Sequence, residues 1–179
     1  MKIKIVHFAF LFLISLGYSQ DKMDIFDVAR KGTLEQAKEI LKTNPKAILA
    51  LNADGNSALL LAVYKNNNQV AQFLIDSGAD INGNTKMGTP LMAAVVKGNI
   101  EAVKMLLDKK ADVNIADANG MTALIYAVTF KNYEIVSQLI KVGANAEKKD
   151  SRNNSAIDYA ILANDDKLME LLKNKNKKL

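Results

Sequence analysis

Between residues 88 and 114 the apolar positions fall into two short bursts, each with a helical period. Leu91, Ala94 and Val95 recur at i, i+3 and i+4, as do Val103, Leu106 and Leu107, so each burst lays one apolar stripe along a helix. Thr89 is placed to cap the first helix, and Pro90 suits its first turn, where no amide hydrogen is needed. Gly98 ends that helix by accepting the left-handed conformation that other residues resist. Asn99 caps the second, and Glu101 sits in its first turn, where the helix dipole favours a negative charge. The pattern predicts a helix, a tight turn, a second helix and an extended exit. Two such helices cannot bury their apolar faces alone, so the chain needs further copies of them.

Those copies are present. The capping hydroxyls Ser57, Thr89, Thr122 and Ser155 open successive units at steps of 32, 33 and 33 residues. Five positions on stand Ala62, Ala94, Ala127 and Ala160; seventeen positions on stand Leu74, Leu106, Leu139 and Leu172. The exits also match: Gly78, Ala79, Asp80 and Asn82 in one unit, Lys110, Ala111, Asp112 and Asn114 in the next, then Gly143, Ala144 and Asn145. A degenerate unit precedes them, with Ile25, Val28, Ala29 and Gly32, then Leu34, Ile40 and Leu41. This period and residue set resemble the ankyrin repeat, whose signature includes Thr-Pro-Leu-His-x-Ala and Gly-Ala-Asp-x-Asn. The resemblance covers residues 23–173. It implies an all-α solenoid of helix-turn-helix units joined by short hairpin loops. About five units fall at 23–52, 53–84, 85–116, 117–149 and 150–173, within a repeat domain at 20–173 that a basic tail at 174–179 follows.

The chain departs from the family pattern in ways with physical consequences. The signature histidine is missing: its positions hold Phe26, Leu60, Met92, Ile125 and Asp158. Its hydrogen bonds are lost with it, and packing is expected to carry more of the stability between units. Lys131 stands at the turn position of Gly98, and Lys110 at that of Gly78 and Gly143. A left-handed residue other than glycine costs roughly 1–2 kcal/mol, so these turns are expected to be weak points or to have shifted geometry. Asn66 and Asn164 are milder, because asparagine tolerates that region. Asp54-Gly55 and the stretch from Asp117 to Gly120 signal hairpin turns. The hairpin ending at Gly88 is one residue short and is expected to differ in shape. Asp24, Asp27, Lys38 and Lys42 suit the wet face of an N-terminal cap; Asp165, Asp166, Lys167 and Glu170 suit a C-terminal one.

Composition adds limits. An apolar share of 49% and a charged share of 24% are ordinary for a soluble protein. There is no Trp to fill one bulky core, and no Cys for a disulfide, thiolate metal site or nucleophile. Residues 1–19 begin with Lys2 and Lys4, continue as an apolar run over 5–16 and end in Gly17, Tyr18 and Ser19. That is the three-part pattern of a secretory signal peptide, with small residues at −3 and −1 if cleavage precedes Gln20. As an anchor, the run would span roughly 18 Å of the about 30 Å of membrane hydrocarbon. No cysteine follows it to carry a lipid. The protein is therefore expected to be exported, periplasmic or secreted, with no stable membrane insertion after cleavage. Loss of the segment removes two lysines and no acid, taking the formal charge from +5 to +3.

Cleavage would also remove His7, the only histidine. Without His or Cys, the Ser-His and Cys-His nucleophile pairs and most transition-metal sites are out of reach. The neighbours Asp165 and Asp166 point in different directions on a helix and read as a solvated outer face. No glycine-rich phosphate loop is present. No cofactor and no enzymatic activity are expected. A charge of +3 on a chain sent out of the cell also disfavours nucleic acid.

Function is then expected on the exposed faces. In the family, hairpin tips and first-helix ends form a concave surface that binds other proteins. Carried over residue by residue, this implies Arg30 and Lys31, Tyr64 and Lys65, Val96 and Lys97, and Thr129, Phe130 and Lys131 at the helix ends. At the hairpin tips it implies Asp54, Asn56, Lys86, Met87, Asn119, Met121 and Arg152. Lysines beside Tyr64, Val96 and Phe130 suit an acidic protein partner with an apolar anchor, bound by a monomer. Two alternatives stay open. Lysines also keep a solenoid soluble, with Phe130 folded onto the next unit, and the lysine row with the tail also suits a polyanion or envelope surface. Of the methionines, Met87, Met92, Met105 and Met121 read as gap-fillers.

Overall fold

The computed structural model describes residues 23–173; the signal-peptide segment at 1–19 and the basic tail at 174–179 lie outside them. Among the described residues ten α-helices follow one another in pairs. They are α1 (Ile25–Lys31) with α2 (Leu34–Thr43), α3 (Ala58–Tyr64) with α4 (Asn68–Asp76), α5 (Pro90–Val96) with α6 (Ile100–Asp108), α7 (Ala123–Thr129) with α8 (Tyr133–Lys141), and α9 (Ala156–Leu162) with α10 (Asp166–Lys173). A 3₁₀ turn, Pro45–Leu49, follows α2 where Pro45 ends it.

The predicted caps form. Ser57, Thr89, Thr122 and Ser155 each accept a hydrogen bond from the backbone amide three residues on, in α3, α5, α7 and α9. Asn99 and Asn132 do the same for α6 and α8. Asp158 replaces the family histidine and closes a capping box by accepting from the Ser155 amide at 2.8 Å.

First helices stack on first helices, in the order α1, α3, α5, α7, α9; second helices stack likewise from α2 to α10. The core lies between these two layers. Ala62, Ala94, Ala127 and Ala160 are fully buried in the first layer, and Leu74, Leu106 and Leu139 in the second, with Leu172 at 2%. The alanines leave room for neighbouring helices to approach, and the leucines fill the gap behind them.

Lys110 (φ 61°) and Lys131 (φ 53°) keep the left-handed conformation, as do Asn66, Asn153 and Asn164. The turn geometry is therefore not shifted: the cost is met in place. The short hairpin differs as expected, its bridge running from Thr85 to Gly88 where its neighbours bridge Leu51 to Ser57 and Ala116 to Thr122.

Beside the packing, polar links also join the units where the signature histidine is missing. Asparagines link the units through the backbone. Asn67 Nδ2 donates to the carbonyls of Val28, Ala29 and Gly32 (3.3, 3.4 and 3.0 Å) at the end of α1, where the Val28 carbonyl also accepts from the Gly32 amide. Asn82 and Asn114 accept from the amides of Asp112 (2.9 Å) and Asn145 (2.7 Å), each one unit away.

Leu106 is fully buried and Lys104 exposed on the same helix. Leu106→Ala is expected to cost about 2–5 kcal/mol, because neighbouring units can only partly close the cavity. Lys104→Ala should stay within about 0.5 kcal/mol. Urea unfolding of the two variants checks this, and equal midpoints would refute the stacking register.

Candidate functional site

On the first helices, positions counted from the capping hydroxyl recur from unit to unit. Four residues on, the chain places Leu61, Ala93, Tyr126 and Tyr159; seven on, Tyr64, Val96, Thr129 and Leu162. These two positions share a helix face, one turn apart. At the first of these positions the second and third units carry aliphatic residues, Leu61 and Ala93, both buried, and the last two carry a pair of tyrosines.

The sequence-predicted residues divide between two places. Toward the N-terminal half, Tyr64 is half-buried, with the Lys65 ammonium 5.9 Å and the Lys97 ammonium 5.1 Å from its ring centroid. Both distances suit a cation–π contact. Lys97 makes it across the unit boundary. Val96 beside it is 40% exposed.

Toward the C-terminal half, Asn119, Met121 and Arg152 help to line a cleft of about 320 Å³ between the fourth and fifth hairpins. Its other walls include Thr129, which the helix-end ladder had named, and Tyr126, Asp150 and Tyr159, which the repeat pattern had not singled out. The signal was available as a tyrosine nine residues after an aspartate, at Asp117–Tyr126 and again at Asp150–Tyr159.

The same latch closes both units. Asp117 accepts from the amides of Asn119 and Met121 (2.8 and 2.9 Å) and from the Tyr126 hydroxyl (2.7 Å). Asp150 accepts from the amides of Arg152 and Asn154 (2.9 Å each) and from the Tyr159 hydroxyl (2.6 Å). Burial first, and then the Asp117 carboxylate, push the Tyr126 phenol up to about 12. The hydrogen bond to Asp150 raises Tyr159 in the same direction. In return, that hydroxyl and the two amides hold Asp150 below the usual carboxylate range.

Other predicted residues stand apart. Arg30 reaches back to Asp27 at 3.4 Å, and Lys31 is exposed without joining the tyrosine cluster. Lys86 and Met87 are exposed on the short hairpin, so Met87 fills no gap; Met92 is buried, while Met105 and Met121 are half-buried against the core. Phe130 is 54% exposed and stacks on Tyr126 of its own helix (centroids 6.4 Å apart, planes 9°), rather than folding onto the next unit.

Lys131 leaves the row, its ammonium 3.4 Å from Asp165. That carboxylate is not the solvated outer-face group expected from its place beside Asp166. It accepts from the Leu168 amide at 3.1 Å, capping α10, and from the Tyr133 hydroxyl at 3.0 Å. These contacts, the amide foremost, hold Asp165 below its usual range.

Ile161 and Leu162, missed by the motif, are 54% and 72% exposed at the end of α9. Counting the helix-end position through to the last unit would have found them. Among the described residues no three His, Cys or acidic side chains are grouped to hold a metal ion, and no helix there is long and apolar enough to cross a membrane.

A family model described as ankyrin repeats, in three copies, matches residues 25–117 and 109–179. No curated protein matches the chain closely enough to count as a relative.

Two outcomes follow for the hairpins. A Cβ on Gly120 would lie 2.8 Å from the Asp150 Cα and 2.9 Å from the Ser151 nitrogen, whereas one on Gly55 meets nothing within 4 Å. Both glycines have positive φ, so Gly55→Ala should cost roughly 1–2 kcal/mol and Gly120→Ala clearly more, read from urea midpoints. Asp150 and Asp165, held low in the folded state, add stability that is fully present above the ordinary aspartate value of about 3.9 and is lost as pH falls through their lower folded values. The thermal midpoint should therefore drop as pH falls below about 4. Asp150→Asn should flatten that drop.

Proposed function

We propose, from the premise that the chain belongs to the ankyrin-repeat family, that it holds a partner protein on its concave face outside the cytoplasm, as an adaptor, inhibitor or stabiliser. The ankyrin-repeat domain is a non-catalytic binding fold, and its repeats make the chain a protein-binding module.

The observation that carries the concave-face reading is an apolar row at the first-helix ends of three consecutive units: Val96, Phe130, and Ile161 with Leu162, from 40% to 72% exposed. Single exposed apolar residues are common, but their recurrence around the first-helix ends of successive units, six to eight residues after the capping hydroxyl, supports an interaction site. Lys65 and Lys97 rim it beside Tyr64, which suits acidic residues flanking an apolar anchor on the partner. The polyanion reading has less support. Lys131 is turned to Asp165, and Lys65 and Lys97 are shared with the Tyr64 ring. Export rests on the charged, apolar and small-residue order of residues 1–19.

The combined variant Lys65→Glu, Lys97→Glu and Phe130→Ser should keep its thermal midpoint within a few degrees, because all three side chains are exposed. It should lose at least about tenfold in partner capture. Affinity purification from the exported fraction, with mass spectrometry, reads this, and an unchanged set of captured proteins would overturn the concave-face reading. The same sample tests export. A mature N-terminus at Gln20 supports it, and an intact chain confined to the cytoplasm refutes it.

A further inference from the structure

The cleft between the fourth and fifth hairpins differs in chemistry from the lysine rim, and counting its hydrogens shows how. A hydroxyl has one hydrogen to donate. Tyr126 gives its own to Asp117, Tyr159 to Asp150, and Thr129 to the Ile125 carbonyl at 2.8 Å. All three are left with lone pairs only. Two carboxylates stand directly behind the phenols. An entering carboxylate or phosphate would face those lone pairs and the like charge behind them, with Asn119, Ser151 and Arg152 as the donor-bearing residues of the lining. A neutral apolar side chain would cover oxygens that water now satisfies.

We propose that this cleft takes the side chain of a lysine or arginine from the partner protein, its charged head donating to the oxygens of Tyr126, Tyr159 and Thr129 and its stem lying along Met121 and the tyrosine rings. Long cationic side chains cover apolar surface with their stems while the head stays polar. Aromatic faces attract the charge, and the stacked pair of Tyr126 and Phe130 extends that wall. Arg152 is the cation among the lining residues; it is exposed and makes no ion pair among the described residues. It opposes an incoming cation from the rim and acts as a brake on affinity. This assignment rests on the concave-face reading above and refines it: the partner offers a basic residue to the C-terminal half of the surface and acidic ones to the lysine rim.

The test is a two-dimensional ¹⁵N NMR titration of the protein with three blocked amino-acid amides: N-acetyl-lysine methylamide, its norleucine analogue with the same stem and no ammonium, and N-acetyl-glutamate methylamide. The lysine probe should shift the amides of Tyr126, Thr129, Ser151 and Tyr159, with the other two leaving them in place. Arg152→Ala, an exposed change, should tighten the lysine probe about two- to fivefold. A glutamate probe that shifts these amides more than lysine, equal effects of lysine and norleucine, or looser binding in Arg152→Ala would each overturn the assignment. Capture of a partner that depends on Phe130, Lys65 and Lys97, with no response of the cleft to lysine, would leave the concave-face function standing and remove this proposal alone.

Discussion

A helix of seven residues has no stability of its own in water, because the cost of nucleating it exceeds what so few hydrogen bonds return. Helices α1, α3, α5, α7 and α9 are all that short. Each exists only because a neighbour covers its apolar stripe, and that dependence passes along the chain from one unit to the next. The buried column of Ala62, Ala94, Ala127 and Ala160 shows the constraint at its tightest. A larger side chain there would push two units apart, and a void behind Leu106 would leave two partly unsupported.

Stacking alone does not fix how one unit sits on the next. Polar links set the register. Asn67, Asn82 and Asn114 each bond to backbone one unit away, and Ser151 donates its amide to the Asn119 carbonyl at 2.9 Å, joining the fourth and fifth hairpins. A hydrogen bond to backbone specifies position more sharply than an apolar contact, because geometry decides its strength. Asparagine also serves where glycine is absent from the turns, at Asn66 and Asn164. At Lys110 and Lys131 the fold holds a lysine in the left-handed region. The ion pair of Lys131 with Asp165 shows one such residue given a further role.

The face of the first helices inherits its two characters from this scaffold. Because every unit projects the same positions to the same side, a change of residue type along one position becomes a change of chemistry along the surface. Leu61 and Ala93, both buried, give way to Tyr126 and Tyr159, and the two units that carry the tyrosines form a polar cleft between their hairpins. The hairpin aspartates Asp117 and Asp150 make that change durable by taking the tyrosine hydrogens. The same carboxylates also order the hairpin tips, so the hairpins and the cleft between them draw on one set of groups.

Periodicity is a property of order along the chain, and the repeat length, helix pairs, caps and buried alanines and leucines were legible from it. So was the short hairpin, since a missing residue is a matter of counting. What the chain's order could not carry was the destination of each polar side chain. Asp165 reads as a surface acid until Tyr133 and Lys131 arrive from the preceding unit. Lys97 reads as a free cation until it meets Tyr64. The cleft joins residues from two units, and its acceptor character arises only when Tyr126 and Tyr159 reach back to Asp117 and Asp150. Which atoms donate and which are left to accept is settled in space, by distances between groups that the chain's order alone leaves open.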